Sequence, residues 1–123
     1  YAKDLSVEFN ISHSGNMVVC AVNDGPIGID IEQIRPVDLS VAEHVCTDKE
    51  LLYIFGHTPI KQDFKYTTDI EILERFFEIW TFKEAYGKSI GKGFVMFLPD
   101  VKQSFVKLIE NGYVLSIYEK EKN

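Results

Sequence analysis

With 123 residues, of which 46% are hydrophobic and 13% aromatic, the chain is long enough for one compact domain with a real core and too short for two ordinary ones. Thirteen Lys and Arg against 19 Asp and Glu leave a formal charge of −6, which argues against a general nucleic-acid-binding surface, because such a surface needs a basic excess to release counterions. Any bound polyanion is therefore to be held by a few local cations or a bridging metal ion, and every apolar run falls short of the roughly 20 residues that span a bilayer.

Phe9 and Ile11 alternate with Asn10 and Ser12, and beyond the polar break Ser12-His13-Ser14-Gly15-Asn16 lies the apolar run Met17 to Val22. Two strands are expected there. Asn23-Asp24-Gly25-Pro26 is a turn cluster, after which Ile27, Ile29 and Ile31 alternate with Gly28, Asp30 and Glu32 as a third strand, closed by Arg35-Pro36. Thr47-Asp48-Lys49-Glu50 has the capping-box form and opens a short helix that ends by Gly56 and Pro59. The polar stretch Ile60 to Thr68 reads as a surface loop. Thr68 or Asp69 then caps a long helix in which Leu73, Phe76, Phe77 and Trp80 recur at helical spacing, and which ends near Ser89 before Gly91-Lys92-Gly93. Phe94 to Leu98 is a short apolar run stopped by Pro99-Asp100, and Asn111-Gly112 is a hairpin turn between Phe105 to Ile109 and Tyr113 to Tyr118. The charged tail from Glu119 reads as frayed.

Cys20 and Cys46 sit in apolar contexts with no C-x-x-C partner and no secretory leader before them. They read as reduced core thiols, the pattern of a cytoplasmic protein. The chain starts at Tyr1 rather than Met, so a missing N-terminal segment is expected.

Three constellations could carry chemistry. Alternation puts Asp30, Glu32 and Gly28 on one face of their strand and the three isoleucines on the other. This pattern suits either the wet face of an amphipathic strand or a hard-cation site with oxygen ligands. On the long helix, Glu84 and Lys88 share a face, as an exposed i,i+4 pair would. Lys83, Glu84 and Lys88 nevertheless lie in the most aromatic part of the sequence, beside Phe77, Trp80, Phe82 and Tyr86, where they would also suit a metal-bridged phosphate. Ser12-His13-Ser14-Gly15 is either an ordinary turn or a phosphate contact. A Ser/His/Asp triad is rejected, since adjacent strand residues point apart and no G-x-S-x-G elbow is present. P-loop, dinucleotide, H-E-x-x-H and paired-cysteine zinc signatures are also absent.

Taken in this order, Phe9-Asn10-Ile11-Ser12-His13-Ser14-Gly15, Ile27-Gly28-Ile29-Asp30-Ile31-Glu32 and Trp80-Thr81-Phe82-Lys83-Glu84-Ala85-Tyr86-Gly87-Lys88 resemble the motifs of the 4′-phosphopantetheinyl transferases of the surfactin-synthetase-activating type. The resemblance implies an α+β fold, an antiparallel sheet packed on a long helix as one half of a pseudo-dimer. It implies an enzyme that moves the 4′-phosphopantetheine arm of coenzyme A to a serine of an acyl or peptidyl carrier protein and releases 3′,5′-ADP, with Mg²⁺ as cofactor. By position, Asp30, Glu32 and Glu84 would ligate the metal, with Asp30 and Glu84 catalytic and Glu84 either base or ligand only. Ser12 and His13 would hold the 3′-phosphate, Lys83 and Lys88 would contact the phosphates, and Glu50 matches a less regular acidic position. Members of this type are about twice as long and two-halved, so the single domain 1–123 corresponds to a second half, whether truncated or self-associating as a homo-oligomer. The alternatives are a noncatalytic fragment that binds coenzyme A or a carrier protein, and an unrelated Mg²⁺-dependent phosphohydrolase. An acidic carrier would have to meet a local patch, for which Lys61 and Lys65 are candidates. Neither nucleic acid nor membrane is an expected partner.

Overall fold

A computed structural model describes residues 7–98 and 105–119, and the side chains of 105–108 are not described. The expected stop at Pro99-Asp100 and the charged tail beyond Glu119 lie outside the described residues. Strands β1 (Glu8–Ser14) and β2 (Met17–Asn23) form an antiparallel hairpin, and β3 (Ile27–Gln33) follows. Strand β4 (Val37–Asp38), helix α1 (Ser40–Val45), helix α2 (Asp48–Phe55), strand β5 (Tyr66–Thr67) and helix α3 (Ile70–Ser89) come next, before the hairpin of β6 (Phe105–Glu110) and β7 (Tyr113–Glu119). The principal sheet has the order β3-β7-β6, all antiparallel, while β1-β2 and β4-β5 are separate two-stranded sheets. This is the α+β architecture expected of the sequence, an antiparallel sheet against one long helix.

The local rules account for the element ends. Thr47 accepts from the Glu50 amide while the Glu50 carboxylate accepts from the Thr47 amide at 2.8 Å, the reciprocal box that starts α2. Asp69 caps α3 by accepting from the Ile72 amide at 3.1 Å. Three short elements add to the sequence-based expectation. Helix α1 covers six residues and β4 and β5 two each, so none is long enough to show a hydrophobic period. The stretch expected as loop, Ile60 to Thr68, holds a single 3₁₀ turn and β5. Phe94 to Leu98 forms no strand; Phe94 packs on Trp80 with ring centroids 4.9 Å apart.

The chief correction concerns β3. Its isoleucine face was expected to be the buried one, yet β3 is buried on both faces from Ile27 to Ile31. Ile27 and Ile29 pack with Ala21, and Val19, Leu115 and Ile117 join them. The other face, which carries Gly28, Asp30 and Glu32, is covered by α3. Opposite these residues on β7 stand Tyr118, Ser116 and Val114. The Ser116 hydroxyl bonds to Thr81 of α3 at 2.6 Å, and the Tyr118 ring meets Tyr86 edge-on at 5.0 Å. Val114 belongs to the larger core with Leu39, Ala42, Leu51, Ile54, Leu73, Phe76 and Phe77. Gly28 makes the contact possible, because a β-carbon there would overlap the Ala85 carbonyl oxygen of α3.

The outer edge of β3 is joined to β1 in an unusual manner. Asn10, Ser12 and Ser14 present side-chain oxygens to the amides of Ile29, Ile31 and Gln33, at 2.9, 3.0 and 2.8 Å. The period-2 polar row of β1 thus satisfies three edge amides that a backbone ladder would otherwise take.

Cys46 is buried, and burial pushes its thiol up to about 11. Cys20 departs from the expected core position. It is free and exposed on the outward face of the β1-β2 hairpin, opposite Ile11. Among the described residues no helix is long and apolar enough to cross a membrane.

Candidate active site

Strand β3 supplies Asp30 and Glu32, and α3 supplies Glu84 and Lys88. The close approach at Gly28 sets the last two turns of α3 beside the strand, so Lys88 reaches over it to the Ile29 carbonyl at 2.9 Å and lies 3.5 Å from Asp30 Oδ1. Ser12 closes the other side by donating to the same Oδ1 at 3.2 Å. Asp30 is only 5% exposed, and its buried Oδ2 has no hydrogen-bond partner among the described residues. Burial is the main cause that raises its carboxyl to about 7; Lys88 opposes the shift, while the like charges of Glu32 and Glu84 add to it. Glu84 is raised as well, first by burial and then by Glu32, against the pull of Lys88. At the rim, Glu32 is held by Arg35 at 3.2 Å, and the Arg35 guanidinium lies 5.0 Å over the Phe77 ring.

An orphaned carboxylate oxygen among like charges costs free energy that a cation removes. Among the described residues no three His, Cys, Asp or Glu side chains converge as a ready cage. The donor set nevertheless fits a hard divalent ion of the Mg²⁺ kind, which takes one or two carboxylates and completes its shell with water and phosphate oxygens.

The expected site residues divide into three groups. Lys88 lies on Asp30 at 3.5 Å, and the charges of Glu32 and Glu84 are near enough to act on Asp30 and on each other. Ser12 touches this cluster from within: its proton goes to Asp30, it accepts from the Ile31 amide, and it is 5% exposed. The hydroxyl is thus engaged in aligning Asp30 rather than facing an outside phosphate. His13 is exposed on the opposite face of β1.

Lys83 departs furthest from expectation. It is fully buried, and its ammonium meets Glu50 Oε1, the Val45 carbonyl and the Met96 carbonyl, each at 2.6 Å. An ammonium has three donors, so none remains for a phosphate. Glu50 is likewise absorbed, joining Lys83 to the capping box of α2. Both residues tie α1, α2 and the segment after α3 to the helix. The neighbouring sequence positions 83 and 84 thus face different parts of the molecule, as a 100° step per residue requires.

Fold and site together define an α+β protein whose long helix and glycine-bearing strand share a carboxylate cluster built on the buried Asp30, with Glu32 and Glu84 half-buried beside it and a lysine in attendance. The family model of the 4′-phosphopantetheinyl transferase superfamily matches residues 26–121, and the chain belongs to that superfamily. It is 40% identical over 96 residues to 4′-phosphopantetheinyl transferase gsp of Aneurinibacillus migulanus, covering 78% of this chain and 35% of the relative. Over 88 residues it is 41% identical to 4′-phosphopantetheinyl transferase psf-1 of Bacillus pumilus, covering 72% and 34%. Over 106 residues it is 35% identical to 4′-phosphopantetheinyl transferase Sfp of Bacillus subtilis (strain 168), covering 86% and 42%. The chain therefore spans well under half the length of these curated relatives.

Proposed function

We propose that this chain carries the catalytic carboxylates for Mg²⁺-dependent transfer of 4′-phosphopantetheine from coenzyme A to a carrier-protein serine, in the cytoplasm. The observation that carries the proposal is the buried Oδ2 of Asp30, which has no hydrogen-bond partner among the described residues and feels the like charges of Glu32 and Glu84, with Lys88 at the other carboxylate oxygen. Asp30, Glu32 and Glu84 would hold the metal ion, which supplies neutralisation of the pyrophosphate charge as the bond breaks. Lys88 sits on the same cluster and is the cation available to the phosphate oxygens. His13 is the candidate for the 3′-phosphate, and its exposure leaves it accessible to that group.

In the reaction the serine oxygen forms a bond to the phosphorus that bears the pantetheine arm. The bond from that phosphorus to the bridging oxygen breaks, and 3′,5′-ADP leaves with the electron pair. The serine proton must be accepted as attack proceeds. Glu84, whose carboxylate is made more basic by burial, suits that task. Ser12 and the Ile31 amide fix Asp30 so that its free oxygen is presented without reorganisation.

The chain's limited span of its relatives favours a second reading, a fragment that binds coenzyme A or a carrier protein without turnover. A self-associating half, with a second copy completing the pocket, is the form in which this chain alone would turn over. Intact-mass analysis of an apo carrier protein incubated with the protein, coenzyme A and Mg²⁺ separates these readings. A metal-dependent gain of one phosphopantetheine supports transfer. Binding of coenzyme A with no gain supports the fragment, and release of inorganic phosphate from simple nucleotides would sink both.

A further inference from the structure

The β1-β2 turn is held by residues that the proposed chemistry does not use. Gly15 has φ +56°, and a β-carbon on it would collide with the Tyr113 hydroxyl and with Gln33 Oε1. The turn is thus seated between two side chains of the principal sheet, one from β7 and one from the end of β3. The Asn16 amide donates to the Tyr113 hydroxyl at 3.2 Å, and the Gln33 amide donates to Ser14 Oγ at 2.8 Å. Tyr113 and Gln33 face each other across the β3-β7 ladder, so the two contacts form a single clasp. Tyr113 also lines a cavity of about 160 Å³ together with Met17, Val19, Ile31 and Leu115.

β1 has no backbone ladder with β3, and its placement depends on the side-chain acceptors Asn10, Ser12 and Ser14. The clasp closes the turn end of that row, two and three residues beyond His13. We propose that Tyr113 is a positioning residue for the phosphate subsite at His13: its hydroxyl, with Gln33, clasps the β1-β2 turn and fixes the strand end that carries the imidazole. This rests on the reading of His13 as the contact to the 3′-phosphate.

Tyr113→Phe removes the hydroxyl and keeps the ring. Two measurements test its effect. In ¹⁵N NMR of the metal-free protein, hydrogen exchange of the Asn16 amide rises and the His13 ring resonances shift. By calorimetry with Mg²⁺ present, the parent's preference for coenzyme A over 3′-dephospho-coenzyme A narrows about fivefold, the worth of one ordinary hydrogen bond, while affinity for the dephospho form holds. Ser14→Ala, at the other arm of the clasp, narrows the preference in the same sense. Equal weakening of both ligands would mark a general scaffold role and overturn the proposal. Unchanged Asn16 exchange and His13 resonances would also overturn it. Equal binding of the two ligands by the parent would remove the 3′-phosphate subsite itself, a failure seen before any variant is made, and the role of Tyr113 would fall with it.

Discussion

Asp30 and Lys83 are both buried ionisable groups, but their surroundings make opposite demands. Asp30 is incompletely satisfied, with a carboxyl raised from 3.8 to about 7. A carboxyl raised in the folded state binds its proton more tightly there. Its contribution to stability is present below pH 3.8 and is lost as pH rises through about 7. In chelator, therefore, Asp30→Asn should be more stable than the parent at pH 8 by about 1–3 kcal/mol, with the gain vanishing near pH 4. Glu84, raised for the same main reason, leaves a residual slope in the variant. Thermal melts in EDTA across this range check the prediction, and a parent with no pH slope would remove the idea of a strained carboxylate. Adding Mg²⁺ at pH 8 should raise the parent's Tm and leave that of Asp30→Asn unmoved. Lys83 is fully satisfied instead, with three partners at 2.6 Å. Lys83→Met strips the Glu50 carboxylate of its counter-charge, leaving it only the Thr47 amide, takes the ammonium donor from two carbonyls, and should cost about 3–5 kcal/mol in urea unfolding. Lys88→Met should cost less, about 1–2 kcal/mol, because Asp30 can take up a proton in its place, and under the proposed function should lower phosphopantetheine transfer about tenfold or more. Equal stability losses in the two variants would refute this division of labour. The two motif lysines, five positions apart, could not be sorted by composition, since only the helical phase and the distant carbonyls of Val45 and Met96 distinguish them.

At the scale of elements, the packing of α3 on β3 decides whether a site exists. Gly28 is the point of contact, with Ala85 and Ser89 of the helix against it. Gly28→Ala would force the helix backbone outward, separating Glu84 and Lys88 from Asp30. The variant should lose about 2–4 kcal/mol, as an overpacked site does, and should lose the Mg²⁺-dependent rise in Tm even where it remains folded by circular dichroism. Retention of the full Mg²⁺ response would show that helix and strand carboxylates do not work as one cluster. Much of this packing was legible beforehand. The periods of 2 and 3.6, the capping box at Thr47 and the Asn111-Gly112 turn located the strands and helices, and the order of motifs named the residues of the cluster. Which face of β3 the helix would cover was not legible, because alternation separates two faces and is silent on what lies against each. The isoleucines suggested one core, and the described residues form two, with the carboxylate face buried under α3 and the isoleucine face under the hairpin. The role of Asn10, Ser12 and Ser14 was hidden for a similar reason: a row of small polar side chains reads as solvent-facing until a strand edge with unpaired amides is brought to it.

For the molecule as a whole, the outward face of the β1-β2 hairpin is the feature least consistent with a lone copy in water. Phe9 stands opposite Val22, Ile11 opposite Cys20, and His13 opposite Val18, so six side chains share one surface. Phe9, Val18 and Val22 are 67%, 72% and 65% exposed. Their contiguity distinguishes them from the scattered apolar residues that any surface carries. The net charge of −6 opposes association at long range, but at ordinary ionic strength that repulsion is screened beyond about 8 Å, and burial of apolar area prevails at contact. The chain taken alone should therefore associate reversibly through this face. Sedimentation should show a weight-average mass that rises between about 10 and 500 μM, a range typical of small apolar contacts. Val18→Thr with Val22→Thr should abolish that rise. Both residues point outward, and threonine retains the β-branch a strand favours, so the Tm should change by no more than a few degrees. Association that survives the double substitution would locate the contact elsewhere, and a strictly constant mass in the parent would show that the hairpin face tolerates water.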